Sequence, residues 1–172
     1  MINKKVENAL NEQASKELYS SMLYLSMASW AEAGGYKGIA EWLYIQAEEE
    51  KEHMLRFMRY INDRGGRAIV AAIDQPPGEF KSVKEMFEHV LKHEQYVSEL
   101  INTIVQLCVE EKDYTTHNWV QWFVNEQIEE ESSARDILDK LKLVGDSNMY
   151  LFDRDIMALR GNSESEAAGG EA

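Results

Sequence analysis

The stretch AEEEKEHMLRF, residues 47–57, decides how the chain is read. It lacks Gly and Pro and is built from good helix formers, so it predicts a helix in which Glu50 and His53 lie one turn apart, on the face that also carries Phe57 and Ile61. Such a stripe faces a core. A carboxylate and an imidazole at its centre therefore need a chemical reason, and the sequence on either side supplies one.

The only two prolines are adjacent, Pro76 and Pro77, so long helices are expected on both sides of them. Helices are predicted at residues 3–33, 36–64, 82–111 and 115–143, with breaks at Gly34-Gly35, at RGGRAIVAAIDQPPGEF (64–80) and at Lys112-Asp113. A shorter fifth helix, about 147–159, places Met149, Phe152, Ile156 and Leu159 on one face. It is too short to be stable alone and must pack on its own bundle or on a neighbour. Residues 1–160 are expected to form one domain, and the small polar segment GNSESEAAGGEA, 161–172, to be a disordered tail.

Helices near 30 residues span about 45 Å, which suits a bundle. Short links make the first and second helices, and the third and fourth, antiparallel neighbours. The linker around Pro76 is long enough to run the length of the bundle, so the second and third helices run parallel. The expected fold is all-α: a four-helix bundle with one long crossover and a short fifth helix.

Each of the four stripes carries a glutamate where an apolar residue is expected: Glu17, Glu50, Glu94 and Glu130. Each lies about 12 to 15 residues from its helix start, so all four should meet near mid-height whichever way each helix runs. Four buried, unpaired carboxylates would force protonation or unfolding. No Lys or Arg lies on these stripes near that height, so bound cations are the economical counter-charge, and two divalent ions balance four carboxylates. His53 adds a nitrogen ligand in the Glu-x-x-His spacing of di-iron carboxylate bundles. Mixed oxygen and imidazole ligation suits iron or manganese better than calcium or a thiolate zinc site. Iron is the expected metal, because two ions about 3.5 to 4 Å apart can each give one electron to O2.

Composition excludes other classes. With 18 Lys and Arg against 31 Asp and Glu, a formal charge of −13 is opposed to nucleic-acid binding and favours cations as partners. No run of about 18 apolar residues and no leader pattern in INKKVENALNEQ is present, so no membrane association and a cytoplasmic location are expected. The single cysteine, Cys108, permits neither an internal disulfide nor a CxxC knuckle and is read as a small buried hydrophobe.

Four stretches, NEQASKELYSSMLYLSM (11–27), AEWLYIQAEEEKEHM (40–54), LKHEQYV (91–97) and WFVNEQIEEE (122–131), give the chain a resemblance to bacterial non-haem ferritins over essentially its whole length. The resemblance implies that Glu17, Glu50 and His53 bind one ferroxidase iron, that Glu50, Glu94 and Glu130 bind the second, and that Glu50 bridges them. It places Gln127 beside the centre and Tyr24 next to it. It further implies a third iron site on the inner side from Glu49, Glu126 and Glu129, with Glu130 shared. The implied assembly is a 24-subunit shell that oxidises Fe(II) with O2 or H2O2 and stores ferric mineral, with the fifth helix on the fourfold axis. Read from residues alone, Glu48, Glu49, Glu52 and Glu129 form a solvated face, Tyr24 is a core residue in need of a hydrogen-bond partner, and Trp122 is packing.

Departures from related families matter. Haem-carrying bacterioferritins place a Met directly after the bridging Glu, where this chain has Lys51, so haem is not expected. They repeat Glu-x-x-His in the fourth helix, where this chain has Gln127-x-x-Glu130, so the centre should be asymmetric. Rubrerythrins append a four-cysteine iron domain that Cys108 alone cannot supply. Two rivals remain at this stage: a soluble di-iron oxidase or peroxidase that stores no mineral, and a non-catalytic helical protein whose acidic faces bind a partner or mineral surface.

Overall fold

The computed structural model describes residues 1–160, so the polar tail at 161–172 lies outside the described residues. Four long helices, α1 (Lys4–Ala33), α2 (Lys37–Asp63), α3 (Val83–Glu110) and α4 (Tyr114–Val144), precede a short 3-10 turn (Asp146–Asn148) and α5 (Met149–Asp155). The long helices begin and end within one residue of the expected bounds, because local chemistry sets each break. Asn3, Ser82 and Asp113 each accept a hydrogen bond from a first-turn N–H of α1, α3 and α4. At the far ends of α1, α2 and α3 the chain closes in the same way. Tyr36 N bonds Ala31 O, Gly66 N bonds Ile61 O, and Asp113 N bonds Cys108 O, each around one residue with positive φ. That residue is Gly35 or Gly65 in two cases and Lys112, at φ 55°, in the third.

The crossover runs along α1. Asn11 holds its start, donating to Arg67 O and accepting from Ile69 N. Ser26 donates to Pro77 O, and Phe80 packs edge-on against Trp30. From Asn11 to Trp30 is about 28 Å of helix, so the linker climbs most of the bundle and starts α3 at the end where α2 started. At the opposite end Asn3 of α1 donates to Glu111, and Arg64, just after α2, pairs with Asp113. Helices α2 and α3 are therefore parallel.

The fifth helix is not continuous. It ends at Asp155, turns at Ile156 and resumes over 157–160. The hydrogen bonding changes there from Ile156 N to Phe152 O, four residues back, to Leu159 N to Ile156 O, three back. Its apolar face is as expected: Phe152 and Ile156 are buried, and Met149 and Leu159 pack beside them. Asp153 of α5 accepts from Ile39 N and so caps α2, which has no side-chain cap of its own. A Cβ on Gly38 would stand 1.8 Å from the Asp153 carbonyl oxygen, so only glycine lets α5 dock here.

The core has two apolar halves. One gathers Leu10, Phe57, Ile101 and Phe123; the other gathers Tyr24, Leu43, Phe87 and Ile137. The buried polar side chains Glu17, Glu50, His53, Glu94 and Gln127 lie on the long helices between the stretches that supply these halves. Cys108 is fully buried, and burial pushes its thiol up to about 11, as fits a packing residue. No helix among the described residues is long and apolar enough to cross a membrane.

Left-handed backbone at a non-glycine residue costs about 1 to 2 kcal/mol. Lys112→Gly should therefore stabilise the metal-free protein by about 1 kcal/mol, read as a higher denaturant midpoint. An unchanged or lower midpoint would contradict the reading of this turn.

Candidate metal centre

Glu17, Glu50 and Glu94 are only 1%, 2% and 1% exposed, so the three carboxyls are inside the bundle. Helices α1 and α2 bring Glu17, Glu50 and His53 together: one ligand atom from each lies within 4.8 Å of the others. His53 Nδ1 stands 3.5 Å from Glu50 Oε2, as one helical turn dictates, and its Nε2 faces Glu126 at 4.0 Å. Trp122 and Phe123 hold the ring edge-on from α4.

Glu94 and Glu130 stand outside that tight group, and their partners explain why. Glu94 Oε1 accepts from the Tyr24 hydroxyl at 2.6 Å, and its Oε2 from the Gln127 amide at 3.2 Å. Glu130 Oε2 accepts from the Gln46 amide at 2.9 Å. On α1, Gln13 donates to Glu17 Oε1 at 2.8 Å. Among the described residues no buried side-chain nitrogen or oxygen lacks a partner. Neutral amides and a phenol thus satisfy the outer oxygens without neutralising any charge, and the five predicted ligands split into a close trio and two carboxylates held apart.

Uncompensated charge moves the protons. Burial, then the Glu50 charge, raises Glu17 well above the usual carboxylate range; burial, then Glu94 and Glu130, does the same to Glu50. A hydrogen bond between Glu17 and Glu50 favours the proton on Glu17. Glu130 is pushed up to about 8 by burial and then by Glu94. Tyr24 is raised by burial and then by Glu94, so it remains a phenol that donates.

The outer acidic residues lie elsewhere. An open groove of 1490 Å³ between α2 and α4 is lined by Glu49, His53, Glu126, Glu129 and Glu130, among others, and gives access to the centre from one side. Glu126 is raised above the usual range, chiefly by burial, whereas Glu129 is exposed. Away from the centre, His93 bonds Ser20 at 2.7 Å, and His89 packs on Phe80. Three residues of the network carried no assigned role in the sequence reading: Gln13, Gln46 and Arg160. The first two sit one turn before Glu17 and Glu50, a spacing that marks them in hindsight; Arg160 left no local signal.

Residues 7–144 match the family model for the ferritin-like domain. The chain belongs to the ferritin family. A bacterial non-heme ferritin of Bacteroides fragilis is 42% identical over 156 residues, which cover 91% of this chain and 98% of that protein. A probable bacterial non-heme ferritin-like protein of Haemophilus influenzae is 40% identical over 158 residues, 91% of this chain and 96% of its own. An open-pore ferritin from the hyperthermophilic archaeon Archaeoglobus fulgidus matches this ferritin-family chain with a TM-score of 0.88 at 40% identity, over 91% of this chain and 98% of that one.

The raised carboxyls set a pH dependence. In the unfolded chain they titrate near 4.5, so between about pH 5 and pH 8 the folded protein keeps protons that the unfolded chain has released, and stability falls as pH rises. His93, lowered by burial, contributes the opposite slope, but only around pH 6. The denaturant midpoint of metal-free protein should fall from pH 5 to pH 8, and Glu50→Gln should make the fall shallower. A midpoint that climbs through this window would contradict the electrostatics.

Proposed function

We propose that this chain, acting as a single domain over residues 1–160, is the subunit of an iron-storing ferroxidase. Two Fe(II) ions are its substrate. Glu17, Glu50 and His53 bind one, Glu50, Glu94 and Glu130 bind the other, and Glu50 bridges. The observation that carries this reading is the buried trio of Glu17, Glu50 and His53 with Glu94 beside it, a set of oxygen and imidazole donors that suits ferrous iron and, among the described residues, has no Lys or Arg paired to it. Binding of two divalent ions displaces the protons on Glu17, Glu50 and Glu130 and supplies the missing charge. Each ion then gives one electron to O2 or to peroxide.

The protein groups have separate tasks. Gln13 and Gln46 orient Glu17 and Glu130, so those carboxylates need little rearrangement. Gln127 and Tyr24 hold both oxygens of Glu94, and Tyr24 is close enough to supply a proton or an electron to the centre. The second ion has no histidine, so it is held more weakly than the first. Glu49, Glu126 and Glu129, with Glu130, form a third iron site in the groove, through which oxidised iron leaves the centre.

Storage requires a hollow assembly, which we take to be a 24-subunit shell in the cytoplasm. Its support is the family membership and an apolar surface at one end of the bundle, where Leu143 and Tyr150 are 81% and 78% exposed while Phe152 and Ile156 of the same region are buried. A soluble di-iron oxidase would use the same centre without the shell.

Aerobic loading with excess Fe(II), followed by size separation, distinguishes the two. Iron far above about two ions per subunit, travelling with a large particle, is the expected result; a plateau near about two in a small species would replace storage by oxidase activity. Glu50→Ala with His53→Ala should abolish the fast oxidation phase while leaving the helical content intact, since it relieves like-charge repulsion. An unchanged initial rate would overturn the assignment.

A further inference from the structure

Beyond α5 the chain turns back towards the groove, and Leu159 and Arg160 form part of its wall. The Arg160 guanidinium donates from Nη1 to Gln46 Oε1 and from Nη2 to Glu49 Oε1. Its side chain is only 12% exposed, against 39% for Glu49, so the charge is largely drawn into the wall. Because the Gln46 carbonyl accepts from Arg160, the amide nitrogen of Gln46 is turned to Glu130 Oε2. One cationic side chain thus reaches both an outer groove carboxylate, directly, and a carboxylate of the centre, through one amide.

Two other groove cations, Arg56 and Arg59, are engaged differently. Arg56 stacks over the Trp122 ring at 3.7 Å, and Arg59 pairs with Glu52 at 3.7 Å. Among the described residues neither of these arginines bonds Glu49 or Gln46 as Arg160 does, and Glu126 faces His53. Arg160 therefore stands where a cation held by Glu49 would need to be.

We propose that Arg160 is a positioning residue and a tethered competitor for the cation bound by Glu49, Glu126, Glu129 and Glu130. The inference rests on the third-site reading given above. With Arg160 in place, Glu49 is paired and Glu130 is directed towards Gln46, and thus held for the centre. A cation arriving in the groove must displace the guanidinium from Glu49. Displacement frees Gln46, and Glu130 can then turn outward to the new ion. The groove site consequently binds weakly and passes its ion on, and the C-terminal segment sets how weakly.

Anaerobic calorimetric titration of the metal-free, full-length assembled protein with Fe(II) tests this. Compared with wild type, Arg160→Gln should bind the ion beyond the first two per subunit about tenfold more tightly, the loss of one charged hydrogen bond from the competitor. Arg160→Lys, which keeps the charge, should stay near wild type. In a Glu49→Gln background the Arg160→Gln gain should vanish. A purely structural role in docking the C-terminal segment would lower the thermal midpoint without tightening the third ion. Three ions with equal affinity in wild type and Arg160→Gln would overturn the role of Arg160 and keep the site. Two ions in both proteins would overturn the role and the third-site reading together.

Discussion

Glutamates buried together, with no Lys or Arg paired to them among the described residues, are the constraint to which the rest of this molecule answers. Glu17, Glu50 and Glu94 are nearly inaccessible, and each helix of the bundle contributes one member of the group. In the metal-free protein the repulsion is relieved by protons on Glu17, Glu50 and Glu130, by the Tyr24 phenol and by three glutamine amides. The amides and the phenol supply hydrogen bonds but no positive charge, so it is the protons that lower the charge of the group at neutral pH. A site so arranged is stable enough to fold and favours divalent ions, because ions do what the protons do and more strongly.

The scaffold serves that layer. Two apolar halves of core, above and below, supply the burial that offsets the polar centre. The crossover pinned to Asn11 and Ser26 makes α2 and α3 parallel, so all four helices present their midpoints at one level. At one end, Asp153 caps α2 and α5 closes against Gly38, which brings the following residues to the groove. The architecture therefore links the C-terminal segment to the wall of the site through Gln46 and Glu49.

The bundle was legible in the sequence because its signals are local and repeated: adjacent prolines, glycine pairs and stripes of 3.6-residue period placed the four long helices within one residue. The break at Ile156 was not legible, since no Gly or Pro marks it and the apolar spacing continues across it. In the site, the candidate ligands Glu17, Glu50, His53, Glu94 and Glu130 could be picked out because charge on an apolar stripe is conspicuous. Their separation into a trio and a pair could not, as it depends on hydrogen bonds across helices, from Tyr24 to Glu94 and from Gln46 to Glu130. Arg160 was hidden for the same reason: its partners lie more than a hundred residues away in the chain.

Diffraction at the iron absorption edge, from crystals of metal-free protein soaked anaerobically in Fe(II), tests the central claim most directly. Two anomalous peaks about 3.5 to 4 Å apart are expected, one among Glu17, Glu50 and His53 and the other among Glu50, Glu94 and Glu130. Iron found only on the exposed acidic surface, with none between these carboxylates, would contradict the account.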